Sequence, residues 1–171
     1  MKNKFIFLLL AIITGITIYN ISPEEKLPQN ASIDLIEVNK SKKQLLVFSN
    51  GRLLKTYKAS FGEHPIGHKQ FEGDEKTPEG MYTINAKNDQ SGYHKNLGIS
   101  YPNSTDIINA KAIGKSPGGD IKIHALKNGL GFINKFQRWY NWTNGCIALT
   151  NSEIDELYRS VRIGTRIKIN P

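Results

Sequence analysis

The dipeptide Asn50-Gly51, set between two runs rich in β-formers, constrains this chain more than any other short stretch. Both residue types tolerate the positive φ of a type I′ turn, so Gln44–Ser49 and Leu53–Tyr57 are expected to pair as an antiparallel hairpin. Downstream, Pro65, Gly67, Gly73, Pro78 and Gly80 crowd the stretch from Phe61 to Gly80, which predicts a long loop closed by a strand from Met81 to Ala86. Loops of that length in small domains usually carry function. A short strand is expected around Leu97–Ser100 and a turn at Tyr101-Pro102-Asn103, with irregular chain up to Gly118-Gly119. Asp120–His124 then alternates, putting Ile121 and Ile123 on one face and Lys122 and His124 on the other, away from the core. One helix stands out, from Asn151 to Val161. Thr150 and Glu153 form a capping box at its start, and Ile154, Leu157, Tyr158 and Val161 share a face. An alternating strand, Thr165–Ile169, ends the chain. Strands dominate, with one late helix and no parallel βαβ pattern.

A length of 171 residues suits a single domain. The first 21 residues stand apart: Lys2 and Lys4 precede an apolar run from Phe5 to Ile18, and no acidic residue appears before Glu24. This is an export signal, either cleaved or kept as a short membrane anchor. Tyr19, Asn20 and Ile21 are not the small residues of a cleavage site, which favours the anchor, with Lys2 and Lys4 held inside. Residues 22–32, with Pro23 and Pro28, read as a linker, and the domain is expected over 33–171. Past the first segment, 21 basic residues still oppose 15 acidic ones. A basic exported domain suits an anionic envelope polymer or lipid surface and argues against nucleic acid, although a basic surface also serves solubility alone.

Cys146 is the only cysteine, so it forms no internal disulfide: it is free, paired with another chain, or used chemically. It follows Gly145, whose lack of a side chain lets a substrate backbone approach. An ordinary thiol is mostly protonated at neutral pH and needs a neighbouring base or cation to act as a nucleophile. His124, on a polar strand face, is the candidate. A buried structural cysteine and a surface histidine are the plain alternative, and the Gly-Cys pair alone favours it. His64 and His68 lie four apart, but Pro65 and Gly67 break the helix that would bring both to a metal, and no metal or other cofactor is implied.

Several ordered motifs reverse that balance. Pro65-Ile66-Gly67-His68-Lys69, the run Glu72-Gly73-Asp74-Glu75-Lys76-Thr77-Pro78-Glu79-Gly80, Tyr101-Pro102-Asn103, Ile123-His124, Trp142-Thr143-Asn144-Gly145-Cys146-Ile147-Ala148 and Gly164-Thr165 follow one another along the domain. Together they resemble the YkuD-type L,D-transpeptidase family, in the branch that reads W-T-x-G-C-I-A where many members read S-H-G-C-I-R. The resemblance implies a catalytic domain built as a mixed β-sheet or sandwich-like barrel with one late helix, acting on peptidoglycan stem peptides in the periplasm or cell envelope. It implies that Cys146 attacks the carbonyl of the third, diamino-acid residue of a stem tetrapeptide and expels D-alanine. An amine of a neighbouring stem then resolves the thioester. By position, His124 is the proton acceptor, Thr143 takes the place of the serine whose carbonyl orients that histidine, and Gly145 and Cys146 give backbone N–H groups to the oxyanion.

Asn144 stands where many members have histidine, Ala148 where many have arginine, and Ala125 where a glycine usually follows the strand histidine. Arg138 or Lys135 could supply the missing cation. Substrate contacts are accordingly expected from Asn144, Arg138, His68 and Trp142, and the aromatic stretch Asn128–Asn141 is expected to form a lid, a groove wall or a packed patch. A monomer is expected. Three readings remain open: transfer to an amine, hydrolysis of the same thioester (trimming D-alanine or releasing a wall-linked protein), and a catalytically silent peptidoglycan-binding domain.

Overall fold

A computed structural model describes residues 2–171, with side chains from Lys4 onward. One curled sheet of eight strands forms its frame, in the order β3-β2-β1-β8-β4-β5-β6-β7. The hairpin forms as its turn residues require: β2 (Gln44–Ser49) pairs antiparallel with β3 (Arg52–Lys58), and Asn50 and Gly51 sit at φ of 50° and 76°. β1 (Ile33–Asn39) runs antiparallel to β2 and parallel to the last strand, β8 (Val161–Asn170). Period-2 burial follows the pleat, with Ile36 and Val38 of β1, and Ile167 and Ile169 of β8, turned into the core. The architecture is mostly β, as expected, and the sheet is mixed.

β4 (Gly80–Ser91) runs past the predicted Ala86, through a Ser91-Gly92-Tyr93 turn, into β5 (His94–Ile99). β5 passes the sheet on to β6 (Lys122–His124), and β6 pairs in parallel with the two-residue strand β7 (Ile147–Ala148). The late helix, α3 (Asn151–Ser160), opens on the capping box read from the sequence. Thr150 accepts from the Glu153 amide, and Glu153 reaches back to the Thr150 amide. Ile154 and Leu157 bury fully beneath it.

A second helix of the domain, α2 (Ser104–Ala112), occupies the stretch expected to be irregular. Asn103 caps it, and the buried Asp106 accepts from the Asn103 amide and from the Tyr82 hydroxyl. Its apolar residues do not fall on one face: Ile108 and Ile113 are exposed while Ala110 is buried. The 3.6-residue signal is therefore missing. The long early loop holds its shape through buried charge. Lys40 donates to the Gly67 and Thr77 carbonyls, and Asp74 accepts from Lys69 and from the amides of Gln70, Phe71 and Lys76. The N-terminal run forms α1 (Lys2–Ile21), whose window Lys4–Ile21 is long and apolar enough to cross a membrane.

Glu153 serves both its helix cap and the buried Arg138, at 2.6 Å. Thr150→Ala, which removes only the cap, is expected to cost about 1 kcal/mol. Glu153→Ala, which also strips the guanidinium of a buried partner, should cost roughly 3 kcal/mol. Equilibrium urea denaturation of the two variants checks the order; equal losses would show that the ion pair adds nothing.

Candidate active site

The parallel pairing of β6 with β7 brings the two chemical candidates together. His124 lies opposite Ala148, and Cys146 stands in the turn just before β7. Both line one cleft of about 300 Å³, with Tyr93, Lys122, Trp142 and Asn144 among its walls. Ile123 and Ile147, on the opposite face of the same pair, are fully buried and fix the strands to the core.

Close backbone packing shapes the turn before the thiol. Gly145 has φ +124°, and a Cβ there would lie 2.6 Å from the Lys76 carbonyl oxygen. Gly62 is as tight, since a Cβ would meet the Glu75 carbonyl oxygen at 2.0 Å. The early loop thus presses its backbone directly against the cysteine turn, which only glycine permits. Thr143 braces the turn from within: its hydroxyl donates to the Cys146 carbonyl at 2.7 Å and accepts from the Gly145 amide at 3.2 Å.

His124 is buried, not open on a polar face as its strand position suggested. Tyr93 packs on its ring at 4.8 Å between centroids, and Trp142 meets it edge-on at 5.7 Å. The indole is itself aimed by a hydrogen bond to Gln137. The Nδ1 atom lies 2.6 Å from the Ala125 carbonyl oxygen, so Nδ1 carries the hydrogen and Nε2 is the basic nitrogen. The orienting carbonyl is that of Ala125; the Thr143 carbonyl expected in that role accepts instead from the Glu63 amide.

Burial pushes the His124 pKa below the usual histidine range, and the neighbouring Lys122 adds to that. Burial likewise raises the Cys146 thiol, opposed by the Lys122 backbone N–H and its ammonium. The sulfur sits 3.8 Å from the Asp120 carbonyl oxygen. Both shifts favour the neutral forms, thiol and imidazole.

Two expected substrate contacts lie elsewhere. Arg138 is buried between Glu24 and Glu153, at 2.9 and 2.6 Å, and does not line the cleft. His68 accepts from the Glu79 amide through Nδ1 and faces Asp106 through Nε2 at 3.1 Å, tying the early loop to α2. Lys135 is also buried, against Ser22 and Glu24. Trp142 and Asn144 do line the cleft, and Asn144 also borders an adjoining hollow that holds Lys69. The cation in the cleft is Lys122, paired with the exposed Asp120 at 2.7 Å. Its place beside His124 on the alternating face is the signal for it; Tyr93 carries none, because no local pattern marks the β4–β5 turn.

A family model for the L,D-transpeptidase catalytic domain, YkuD, matches residues 33–169. The chain belongs to this family. Among curated L,D-transpeptidase relatives, it is 32% identical over 112 residues to YafK of Escherichia coli K12, a candidate L,D-transpeptidase, covering 64% of this chain and 38% of that one. It is 27% identical over 135 residues to YqjB of Bacillus subtilis, similarly named, covering 77% and 68%. Its fold matches the crystal structure of the helical cell shape determining protein Pgp2 from Campylobacter jejuni with a TM-score of 0.61 and 27% identity, over 82% of this chain and 48% of Pgp2. The chain thus spans about half the length of Pgp2 or less than half that of YafK.

The directions of the two pKa shifts set the thiol's reactivity with pH. Iodoacetamide should alkylate Cys146 in the folded chain more slowly at neutral pH than in urea, with its inflection at higher pH. Lys122→Ala should move that inflection further up. Fast alkylation of the folded chain on the acid side of the urea-unfolded inflection would instead reveal a resting thiolate.

Proposed function

We propose that the protein is a peptidoglycan L,D-transpeptidase with Cys146 as nucleophile and His124 as general base. The observation that carries this reading is the cleft itself: in a chain of this family, a half-buried thiol and an imidazole with Nδ1 tied to a carbonyl share one wall. Binding alone makes no such demand on either group.

The stem tetrapeptide enters along the cleft with the carbonyl of its third residue over Cys146. As the sulfur attacks, its proton passes to Nε2 of His124. A neutral resting pair suits this step, because a base of depressed pKa is free of its proton at neutral pH. The Cys146 N–H is assigned as the oxyanion donor. The Gly145 N–H, the other expected donor, already serves Thr143 and would have to leave it. Collapse of the tetrahedral adduct returns the proton from His124 to the departing D-alanine amine and leaves an acyl-thioester. An amine from a neighbouring stem then attacks that thioester. Lys122 fills the part of the arginine missing at Ala148, offering its ammonium to a substrate carboxylate from inside the cleft, with Tyr93, Trp142 and Asn144 as the other walls. Such a protein acts in the periplasm or cell envelope, where its polymer is, with α1 as signal or anchor, 22–32 as linker and 33–171 as the catalytic domain.

Incubation with tetrapeptide-bearing wall fragments, read by mass spectrometry, tests the assignment. Crosslinked dimers formed with loss of D-alanine are expected, and none from Cys146→Ala. Lys122→Ala should lower kcat/KM roughly tenfold, the loss of one charge-assisted hydrogen bond. Monomeric tripeptide alone would make the enzyme a carboxypeptidase, and no cysteine-dependent product would overturn the reading.

A further inference from the structure

The end of α1 is not a free tether. Asn20 is buried, its Oδ1 accepting from the Lys135 amide at 3.0 Å and its Nδ2 donating to the Phe132 carbonyl at 3.3 Å. Its own carbonyl accepts from Asn134 Nδ2 at 2.6 Å. Just beyond, the Ser22 carbonyl and the Glu24 carboxylate accept from Lys135 Nζ, and Glu24 also takes Arg138. Leu27 is buried, with its amide on Glu156. All of these partners but the last lie in or bound a kinked 3₁₀ segment, Gly131–Trp139. Residues 20–27 are thereby part of the domain's packing.

The rest of the helix is almost uncovered: only 6% of the Lys4–Ile21 window is buried. At about 1.5 Å per residue its 18 residues reach about 27 Å, slightly under the ~30 Å of a bilayer's hydrocarbon. A span that short draws its last turn to the boundary. Tyr19 lies in that turn, and Trp139 stacks on it at 6.5 Å and 25° between planes. Trp139 is 61% exposed, Phe132 75% and Tyr140 61%, an apolar and aromatic patch beside the helix exit. Tryptophan and tyrosine beside a span, at headgroup depth, are residues that bilayer interfaces select.

We propose that α1 is retained as a membrane span and that Phe132, Trp139 and Tyr140 seat the domain in the lipid interface around it. The occupant of the patch is the bilayer surface itself, because the patch is continuous with the one element whose length and composition match a bilayer. The polar contacts of Asn20 and Glu24 then hold the domain in one orientation on the membrane. This goes beyond the chemistry at Cys146 and stands or falls apart from it.

The test uses the full chain. Its intact mass, taken from the membrane fraction, is expected to include α1; a chain beginning after Ile21 would overturn the proposal. The full chain is then reconstituted in vesicles of phosphatidylethanolamine and phosphatidylglycerol containing lipids brominated high on the acyl chain. Tryptophan emission should be quenched in the unmodified chain and escape quenching in Trp139→Phe, which leaves only Trp142 in its cleft. Asn20→Ala with Glu24→Ala should keep the anchor but lose most of the quenching. Equal quenching with and without Trp139, or none in either, overturns the seat. So does a blue-shifted Trp139 emission that brominated lipid leaves untouched, which would mark a protein partner on the patch.

Discussion

The site depends on a parallel strand pair only two residues long. Ile123 against Ile147, and His124 against Ala148, set the histidine beside the cysteine turn. So short a ladder needs support from its other edge. Ser60 provides it, donating its amide to the Ala148 carbonyl and accepting from the Ala148 amide. The two isoleucines add roughly 1.5–3 kcal/mol each by full burial, which is how a few hydrogen bonds become a rigid platform. The early loop braces the cysteine turn from behind, the Lys76 backbone laid against Gly145.

Burial then decides the electrostatics. Taking both groups out of water disfavours charge on each, raising the thiol and lowering the imidazole. A thiolate–imidazolium pair would have to overcome both penalties, and the nearby ammonium of Lys122 helps the thiolate while opposing the imidazolium. The arrangement therefore disfavours a preformed ion pair. The cost is a thiol that is weakly nucleophilic at rest. The gain is resistance to adventitious oxidation and alkylation, since the thiolate is the reactive form.

Much of this was legible in the residues. Asn50-Gly51 specifies its turn by φ alone, Thr150 and Glu153 specify a helix start by reciprocal hydrogen bonds, and the alternation at Asp120–His124 correctly put Ile121 and Ile123 in the core. These are local signals. What stayed hidden is tertiary. Helix α2 carries no apolar stripe, and the pairing of β6 with β7 joins segments separated by the 3₁₀ loop. Arg138 and His68 look like ligand-seeking residues in a sequence, yet each is occupied by carboxylates from other elements, Glu24 and Glu153 for Arg138 and Asp106 for His68. His124 was read as pointing off the core, which its strand allows; that Tyr93 and Trp142 would roof it over depends on two loops whose conformation no local pattern encodes.

The 3₁₀ segment ties these levels together. One set of its groups, Lys135 and Arg138, takes the end of α1. Gln137, between them, turns the other way. Its side chain holds the Trp142 indole over His124, and its carbonyl accepts from the Ser60 hydroxyl, on the residue that supports β7. Lys135 and Arg138, three apart, share one side because a tight helix has three residues per turn, and Gln137 stands about 120° round from them. A displacement of the segment would be felt at Trp142, which lines the cleft, and at Ser60, which supports β7. Contacts made at residues 20–24, outside the span that the family model matches, thus lead through one short segment to the residues packed around His124 and β7.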